Sequence, residues 1–382
     1  MIKKEFSFTK YIVFILISLL MQVNYHVYSE ELIPFRFEGK YGYLNSELEV
    51  VINPIFLDAS HFSENGFAIV ASDYFEGIID YSGSVIFTID IGNIDHIYDD
   101  LYYFELYSRS QLETKYNTRS GIINIRTNKI IIKDINFESN YYYGNDSENE
   151  FILVRKDKKY FYIDYEGNVV LENLNIINGN SFFEQRASIT NEKGEPQIID
   201  TEGNVVGNLS FSILEKKYSE GLIPAKAKDG TTGYVNRSGE FEFTIPIKIH
   251  PRNDKILQAR NFSDGYALVN IKNNPDIWRI INNKGQFVSD DIEVNYTDVF
   301  YEGLAGVTIG HNLKICHNKS GFINTKGEYL VEPIFGLDVN NFKNGYAQIL
   351  YNFTEEGLMN KSGKVIWSSD IMKGIIKEEE IK

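Results

Sequence analysis

The chain contains 382 residues and carries a formal net charge of −15 at pH 7. Phosphate binding requires clustered Lys and Arg, and the basic runs at 155–159 and 226–228 are short and interrupted, so the sequence argues against nucleic acid as a partner. The acidic charge would suit a cationic partner or divalent ions. With 26 Tyr, 26 Phe and 29 Gly against 8 Pro, the composition favours β-strands joined by tight turns.

The N-terminal segment has the features of a signal peptide. Lys3, Lys4 and Lys10 precede the apolar run 11–21. That run is shorter than the roughly 20 residues that a membrane-spanning helix needs, which favours export over an anchor. Val27 and Ser29 are tolerated at the usual −3 and −1 positions, so we predict a signal peptide at 1–29 and a mature chain that is periplasmic or secreted and has no membrane span. A retained anchor is the alternative.

The rest of the chain repeats one motif, Gly-x-aliphatic-Asn/Asp, which we call the anchor. Nine copies lie about 40 residues apart, and this spacing indicates a tandem array of structural units. Six copies keep the glycine and begin at Gly42, Gly77, Gly121, Gly233, Gly321 and Gly357. Three copies have lost it and begin at Phe161, Gln197 and Arg279.

Each unit has the signals of an antiparallel meander. After most anchors a Gly follows the Asn or Asp by three residues, as Gly83 follows Asp80, and this pattern predicts a hairpin turn. A β-branched run such as 85–87 comes next. A second motif, Phe-x-x-Gly-Tyr/Leu-Ala, precedes several anchors, as at 262–267. We therefore predict three- to four-stranded units.

These motifs together resemble the WG-repeat family of bacterial proteins, which is named for a Trp-Gly pair at the start of the anchor strand. In this chain the Trp is mostly replaced, as in Tyr41-Gly42 and Ser320-Gly321. The resemblance extends over essentially the whole mature chain. It implies an all-β repeat array that is often exported, and it brings no catalytic motif.

A meander cannot bury both of its faces alone, so the units must stack. The sequence leaves two arrangements open, a β-propeller-like ring and an open curved β-array. We expect about nine repeats at 30–370, followed by a charged C-terminal tail at 371–382.

No set of residues in the sequence predicts catalysis. The serine-hydrolase, zinc-protease, phosphate-loop and calcium-loop motifs are absent from the sequence, and the His residues lack ligand spacing. Cys316 is the only Cys and is interpreted as structural. We expect a non-catalytic protein without cofactor or metal, although an enzyme with a site built from dispersed loops is an alternative.

The repeat scaffold favours a binding module for a protein or an envelope component, with a structural spacer as the other possibility. Tyr-rich runs supply candidate contact rings, since flat amphipathic rings suit peptides and sugars. The candidates are Tyr102, Tyr103, Tyr141, Tyr142 and Tyr143. The competing interpretation is that strand alternation turns half of each run toward the core.

Overall fold

The computed structural model describes residues 32–107, 119–137, 151–172, 174–206, 211–213, 217–227, 229–248, 259–270, 276–310, 319–335, 339, 341–351 and 355–368. The predicted signal peptide, Cys316 and the predicted tail at 371–382 lie outside the described residues.

Within the described residues the chain forms nine antiparallel sheets and no helix, which confirms the all-β class. Each sheet is a meander in which strands that are consecutive in sequence are neighbours. Three sheets have three strands and six have four. The predicted three- to four-stranded unit is therefore the unit of the fold.

The first three sheets occupy residues 33–133. Sheet 1 contains β1 (Ile33–Phe37), β2 (Lys40–Leu44) and β3 (Val50–Phe56). Sheet 2 contains β4 (Asp58–Ala59), β5 (Phe67–Ala71), β6 (Glu76–Asp80) and β7 (Val85–Ile89). Sheet 3 contains β8 (Gly92–Tyr98), β9 (Leu101–Leu106), β10 (Ser120–Asn124) and β11 (Lys129–Lys133).

The middle three sheets follow at 136–248. Sheet 4 contains β12 (Asn136–Phe137), β13 (Ile152–Lys156), β14 (Lys159–Ile163) and β15 (Val169–Leu171). Sheet 5 contains β16 (Ile176–Gly179), β17 (Ala187–Asn191), β18 (Pro196–Ile199) and β19 (Val205–Val206). Sheet 6 contains β20 (Phe211–Ile213), β21 (Leu222–Ala227), β22 (Thr231–Asn236) and β23 (Phe241–Lys248).

The last three sheets occupy residues 266–368. Sheet 7 contains β24 (Tyr266–Asn270), β25 (Ile277–Asn282) and β26 (Ile292–Glu293). Sheet 8 contains β27 (Tyr296–Thr297), β28 (Leu304–Ile309), β29 (Lys319–Asn324) and β30 (Tyr329–Phe335). Sheet 9 contains β31 (Tyr346–Tyr351), β32 (Glu355–Asn360) and β33 (Val365–Ser368).

The nine anchors lie one per sheet, at the end of the last but one strand. In sheet 2 the side-chain oxygen Oδ1 of Asp80 accepts hydrogen bonds from the backbone N–H groups of Ser82 (2.9 Å) and Ser84 (3.0 Å). The carbonyl oxygen of Asp80 accepts from the N–H of Gly83, which has a φ of 78°. A residue with a side chain is strained at this φ, so the turn chemistry explains why Gly recurs there.

Apolar cores lie between successive sheets, and each core draws side chains from two of them. The core between sheets 1 and 2, for example, combines Tyr43 and Ile52 with Phe62 and Val70. A ninth core joins the two ends of the array, where Phe35 of sheet 1 packs edge-on against Trp367 of sheet 9 with ring centroids 4.9 Å apart. The sheets therefore form a closed, propeller-like ring.

Polar contacts reinforce the junction between sheets 9 and 1. The Glu356 carboxylate accepts from the Arg36 guanidinium and from the Tyr41 hydroxyl, each at 3.1 Å. The Gln348 amide also donates to the carbonyl oxygen of Pro34 at 2.8 Å. Since these partners lie at opposite ends of the sequence, their contacts close the ring without a strand shared between the terminal sheets.

The ring has two ends with different connections. We call the end that carries the anchor turns the anchor face. The opposite end, which we call the connection face, carries the links from one sheet to the next and the turns into the anchor strands, such as Leu57 and the turn 72–75 of sheet 2.

Candidate binding face

The structure places two of the five predicted contact rings in the interior. Tyr102 is 1% exposed in the core between sheets 2 and 3, and Tyr103 is 5% exposed in the core between sheets 3 and 4. Burial also holds the pKa of the Tyr102 hydroxyl above its usual range. Rings at this depth do not reach a ligand. Tyr141, Tyr142 and Tyr143 lie outside the described residues.

A group of exposed apolar side chains lies instead on the connection face of sheets 1 to 3. We call this group the apolar patch. It consists of Ile55 (60% exposed), Leu57 (41%), Tyr74 (85%), Ile91 (60%) and Tyr107 (63%). Single exposed apolar residues are ordinary on a protein surface, but several on adjacent turns of one face are typical of an interaction site.

Hydrogen bonds hold the backbone of the patch in place. The Ser72 hydroxyl oxygen accepts from the N–H groups of both Tyr74 and Phe75 at 3.1 Å, which fixes the turn that presents Tyr74. The Tyr107 N–H donates to the Ile91 carbonyl at 3.1 Å, so these two patch residues lie side by side. A surface that is ordered in advance loses less conformational entropy when it binds.

Among the described residues, carboxylates outnumber the cations Lys40, Arg119 and Lys133 on the connection face of sheets 1 to 3. Glu38, Asp58, Asp73 and Asp90 are exposed on the same face of sheets 1 to 3. The Glu76 carboxylate is half-buried beneath them and accepts a hydrogen bond from the N–H of Ile94 at 2.8 Å. Burial raises its pKa, and the nearby carboxylates Asp95 and Asp58 raise it further. The patch therefore combines apolar side chains with negative potential.

The apolar patch could have been predicted from apolar residues in the links and turns between strands, but not from runs of aromatic residues. Leu57 directly follows the last strand of sheet 1, and Ile91 is the second residue after the last strand of sheet 2, where the chain crosses to the next sheet. Such links are exposed in a stacked array, so an apolar residue there contributes to the surface and not to a core. Tyr74 likewise lies in a turn, just before the anchor that begins at Gly77.

The remaining features of the described residues concern metal binding, membrane spanning and clefts. In the part of the chain that the structure describes, no group of three His, Cys, Asp or Glu side chains is placed to hold a metal ion. Nor does a helix long and apolar enough to cross a membrane occur among those residues. A shallow cleft of about 480 Å³ between sheets 9 and 1 is lined by residues that include Ser46, Tyr346 and Lys361.

The His residues that the structure describes serve packing. His61 is half-buried beside Phe62, and burial together with the positive charge of Lys343 lowers its pKa to about 4. His96 packs against the Tyr102 ring and contacts the carbonyl oxygen of Asp99 through Nε2 at 2.9 Å. Burial also lowers the pKa of His96, so both rings are neutral near pH 7.

The closed ring of meanders defines a β-propeller-type repeat protein. The family model described as "WG containing repeat" matches residues 41–73 and 321–352. Each range runs from within the anchor strand of sheet 1 or sheet 8, through the last strand of that sheet, to the strand before the next anchor strand. The match confirms the resemblance predicted from the anchor motif. Among curated proteins, none matches the chain.

Several solved structures are similar to the chain in fold. A structure described as the eukaryotic initiation factor has a TM-score of 0.55 and 9% identity, over 89% of this chain and 96% of that chain. AztD from Citrobacter koseri has a TM-score of 0.43 and 11% identity, over 81% and 92% of the two chains. BamB from Moraxella catarrhalis has a TM-score of 0.42 and 11% identity, over 74% and 94%. At these identities the likeness is one of fold alone.

Proposed function

We propose that this chain is an exported, non-catalytic scaffold of the bacterial envelope or secreted fraction, and that it binds a protein partner through the apolar patch. The observation that carries the proposal is the patch itself, because Tyr74, Ile91 and Tyr107 are exposed on hydrogen-bonded backbone. A spacer with no partner would gain nothing from such side chains, and exposing them increases the tendency to aggregate.

Export is supported by the N-terminal sequence. Lys3, Lys4 and Lys10 before the apolar run 11–21 have the order of a secretory signal, and Ser29 suits the cleavage position. N-terminal sequencing of the protein from cell envelope and culture medium should begin at Glu30. Recovery of chains that begin at Met1 would mean a retained anchor.

Partner binding is tested by photo-crosslinking in native cells. A benzoylphenylalanine side chain replaces Tyr74 in the patch, and a control carries it at Val205, which is 51% exposed in sheet 5. We expect a discrete crosslinked protein at position 74 and none at 205. Equal labelling at both positions, or none at either, would contradict the proposal and favour the structural spacer.

A further inference from the structure

We propose that the partner contacts the apolar patch with a cationic segment in which Lys or Arg side chains alternate with aliphatic ones. This inference rests on the proposed function and adds the chemistry of the partner to it. The observations that carry it are the charges around the patch and the change of charge at its edge.

Negative charge dominates the surroundings of the patch. Among the described residues of sheets 1 to 3 and the links that follow them, the exposed carboxylates on the connection face are those of Glu38, Asp58, Asp73, Asp90 and Asp134, and the exposed cations are Arg119 and Lys133. Lys40 on the same face already pairs with Asp73 at 3.2 Å. An approaching cation therefore meets a net negative surface, and an approaching anion is repelled.

The apolar part of the patch fits aliphatic and cationic side chains together. Ile55, Leu57 and Ile91 offer aliphatic surface, whereas Tyr74 and Tyr107 offer the faces of exposed aromatic rings. Guanidinium and ammonium groups stack on such rings while their methylene stems cover apolar surface. An alternating segment satisfies both parts of the patch, which a purely polar polycation does not.

The charge of the connection face reverses at sheet 4. Lys156, Lys158 and Lys159 form the exposed turn between β13 and β14, and the Lys156 ammonium donates to the carbonyl oxygen of Lys133 at 3.1 Å. Lys133, Lys156, Lys158 and Lys159 therefore outnumber Asp134 and Asp157 in this part of the face. These Lys side chains repel a cationic segment, so the contacts of the partner segment should end at sheet 3.

The probes are three short synthetic peptides of equal length, one alternating Lys with Leu, one Glu with Leu and one Lys with Ser. Calorimetric titration of the full chain should detect binding of the Lys–Leu peptide at least about tenfold tighter than of either other peptide, and weaker at higher salt. Hydrogen exchange should show protection at 55–58, 72–75 and 91–107 and no change at 156–159.

Matched variants separate specific contact from general attraction to an acidic protein. Tyr74→Ser with Ile91→Ser, and independently Glu38→Gln with Asp73→Asn, should each weaken Lys–Leu binding about tenfold. The control variants Val205→Ser with Ile177→Ser, and Glu202→Gln with Glu192→Gln, lie in sheet 5, where matched changes in polarity and charge should leave binding within about twofold. Unchanged circular dichroism verifies that each variant is folded.

Several outcomes would overturn the inference. Equal binding of the Glu–Leu peptide excludes the charge argument, and equal binding of the Lys–Ser peptide excludes the apolar one. Equal losses in patch and control variants mean non-specific attraction. Dimerisation of the chain through this face means that a second copy occupies it. A crosslinked partner at position 74 whose contacting segment is acidic would leave the proposed function standing and refute this inference alone.

Discussion

At the scale of single residues, acidic side chains in the turns of the anchor face link sheets 5 to 9 in succession. Gly221 N–H donates to Glu184 of the preceding sheet at 2.6 Å, and Gly265 N–H donates to Glu220 at 2.9 Å. Gly345 N–H repeats the contact with Glu302 at 3.0 Å. Each acidic residue thus satisfies a backbone donor in the next unit, which explains why Glu or Asp recurs before the Gly of the second motif.

Loss of one such link should destabilise the ring locally. Glu302 also pairs with Lys361 at 2.7 Å, so Glu302→Ala removes two contacts between sheets 8 and 9. Because the carboxylate is partly exposed, we expect a loss of about 1 kcal/mol in the free energy of unfolding, measured by urea titration. Glu202→Ala, an exposed Glu in sheet 5, is the control and should cost less than about 0.5 kcal/mol. Equal losses of unfolding free energy in the two variants would show that the contacts of Glu302 do not stabilise the ring.

His61 should make the protein less stable in acid. Its pKa is lowered from 6.5 to about 4, so between these values the unfolded chain binds a proton that the folded chain does not. Stability due to this residue is therefore fully present above pH 6.5 and decreases as the pH falls toward 4. His61→Gln should flatten this part of the dependence of the urea midpoint on pH, while His96, whose pKa is also lowered, still contributes in the same direction. If the urea midpoint of His61→Gln depended on pH as steeply as that of the native protein, His61 would not be the source of this loss of stability.

Much of this residue chemistry could be predicted from the sequence, and part could not. The turn after Asp80 involves residues within four positions, so its signals lie together in the chain. The partner of Glu302 is Gly345 in the next unit. No local pattern identifies such a partner, because its position depends on how one sheet stacks on another.

At the scale of strands, the anchor glycine correlates with the length of the strand that follows. A Cβ atom at Gly233 would lie 2.2 Å from the backbone oxygen of Phe243, and one at Gly321 would lie 2.4 Å from that of Val331. The last strands of these sheets have 8 and 7 residues. Glycine is therefore required where the last strand runs closely past the anchor.

Sheets that lack this glycine avoid the close approach. The last strands of sheets 4, 5 and 7 have 3, 2 and 2 residues. In sheet 7 the Arg279 side chain occupies the position and pairs with Asp291 at 2.7 Å, so the last strand forms only before the anchor. In the sequence, this difference corresponds to the three anchors that begin with Phe161, Gln197 and Arg279 in place of Gly.

A pair of substitutions tests this relationship. Gly233→Ala should lower the free energy of unfolding by about 2 kcal/mol, because the methyl group displaces β23 from β22. Gln197→Ala, at the equivalent position of sheet 5, should change it by less than about 0.5 kcal/mol. Thermal or urea unfolding measures both. A neutral Gly233→Ala would show that close approach does not explain the anchor glycine.

The strand scale also explains where Tyr102 and Tyr103 lie. Alternation along β9 directs them to opposite faces of sheet 3, as the sequence predicts. The stacking that the repeat pattern predicts also covers both faces of an inner sheet, so neither face of an inner strand is open to a ligand. Because sheet 3 lies between sheets 2 and 4, one ring enters each core. Exposed aromatic rings therefore occur at turns and links and not in the Tyr-rich strand.

At the scale of the whole molecule, closure distinguishes the ring from the open array. The repeat pattern predicts stacked meanders but is the same in both arrangements, since each inner unit has the same two neighbours. Only the end units differ. Their contacts join residues more than 300 positions apart, as in the pair Arg36 and Glu356. Such pairing has no local signal in one sequence, which is why the sequence left both arrangements open.

Closure also bears on the apolar patch. Sheet 1 supplies Ile55 and packs against both sheet 2 and sheet 9, so it is not a free end that could fray. Terminal units of open arrays need polar caps over their outer faces. In the ring the outer face of sheet 1 is covered, and its exposed apolar side chains remain confined to the connection face and the edge strand.

The most direct test of the closed ring is zero-length crosslinking of the Arg36→Lys variant. Carbodiimide joins Lys to carboxylates in contact, and digestion with mass spectrometry identifies the pairs. The native Lys361–Glu302 pair, 2.7 Å apart, should form in either arrangement and is the internal control. The closed ring predicts an additional link between positions 36 and 356 in the monomer fraction. A monomer that forms the control link and lacks the 36–356 link would contradict the closed ring.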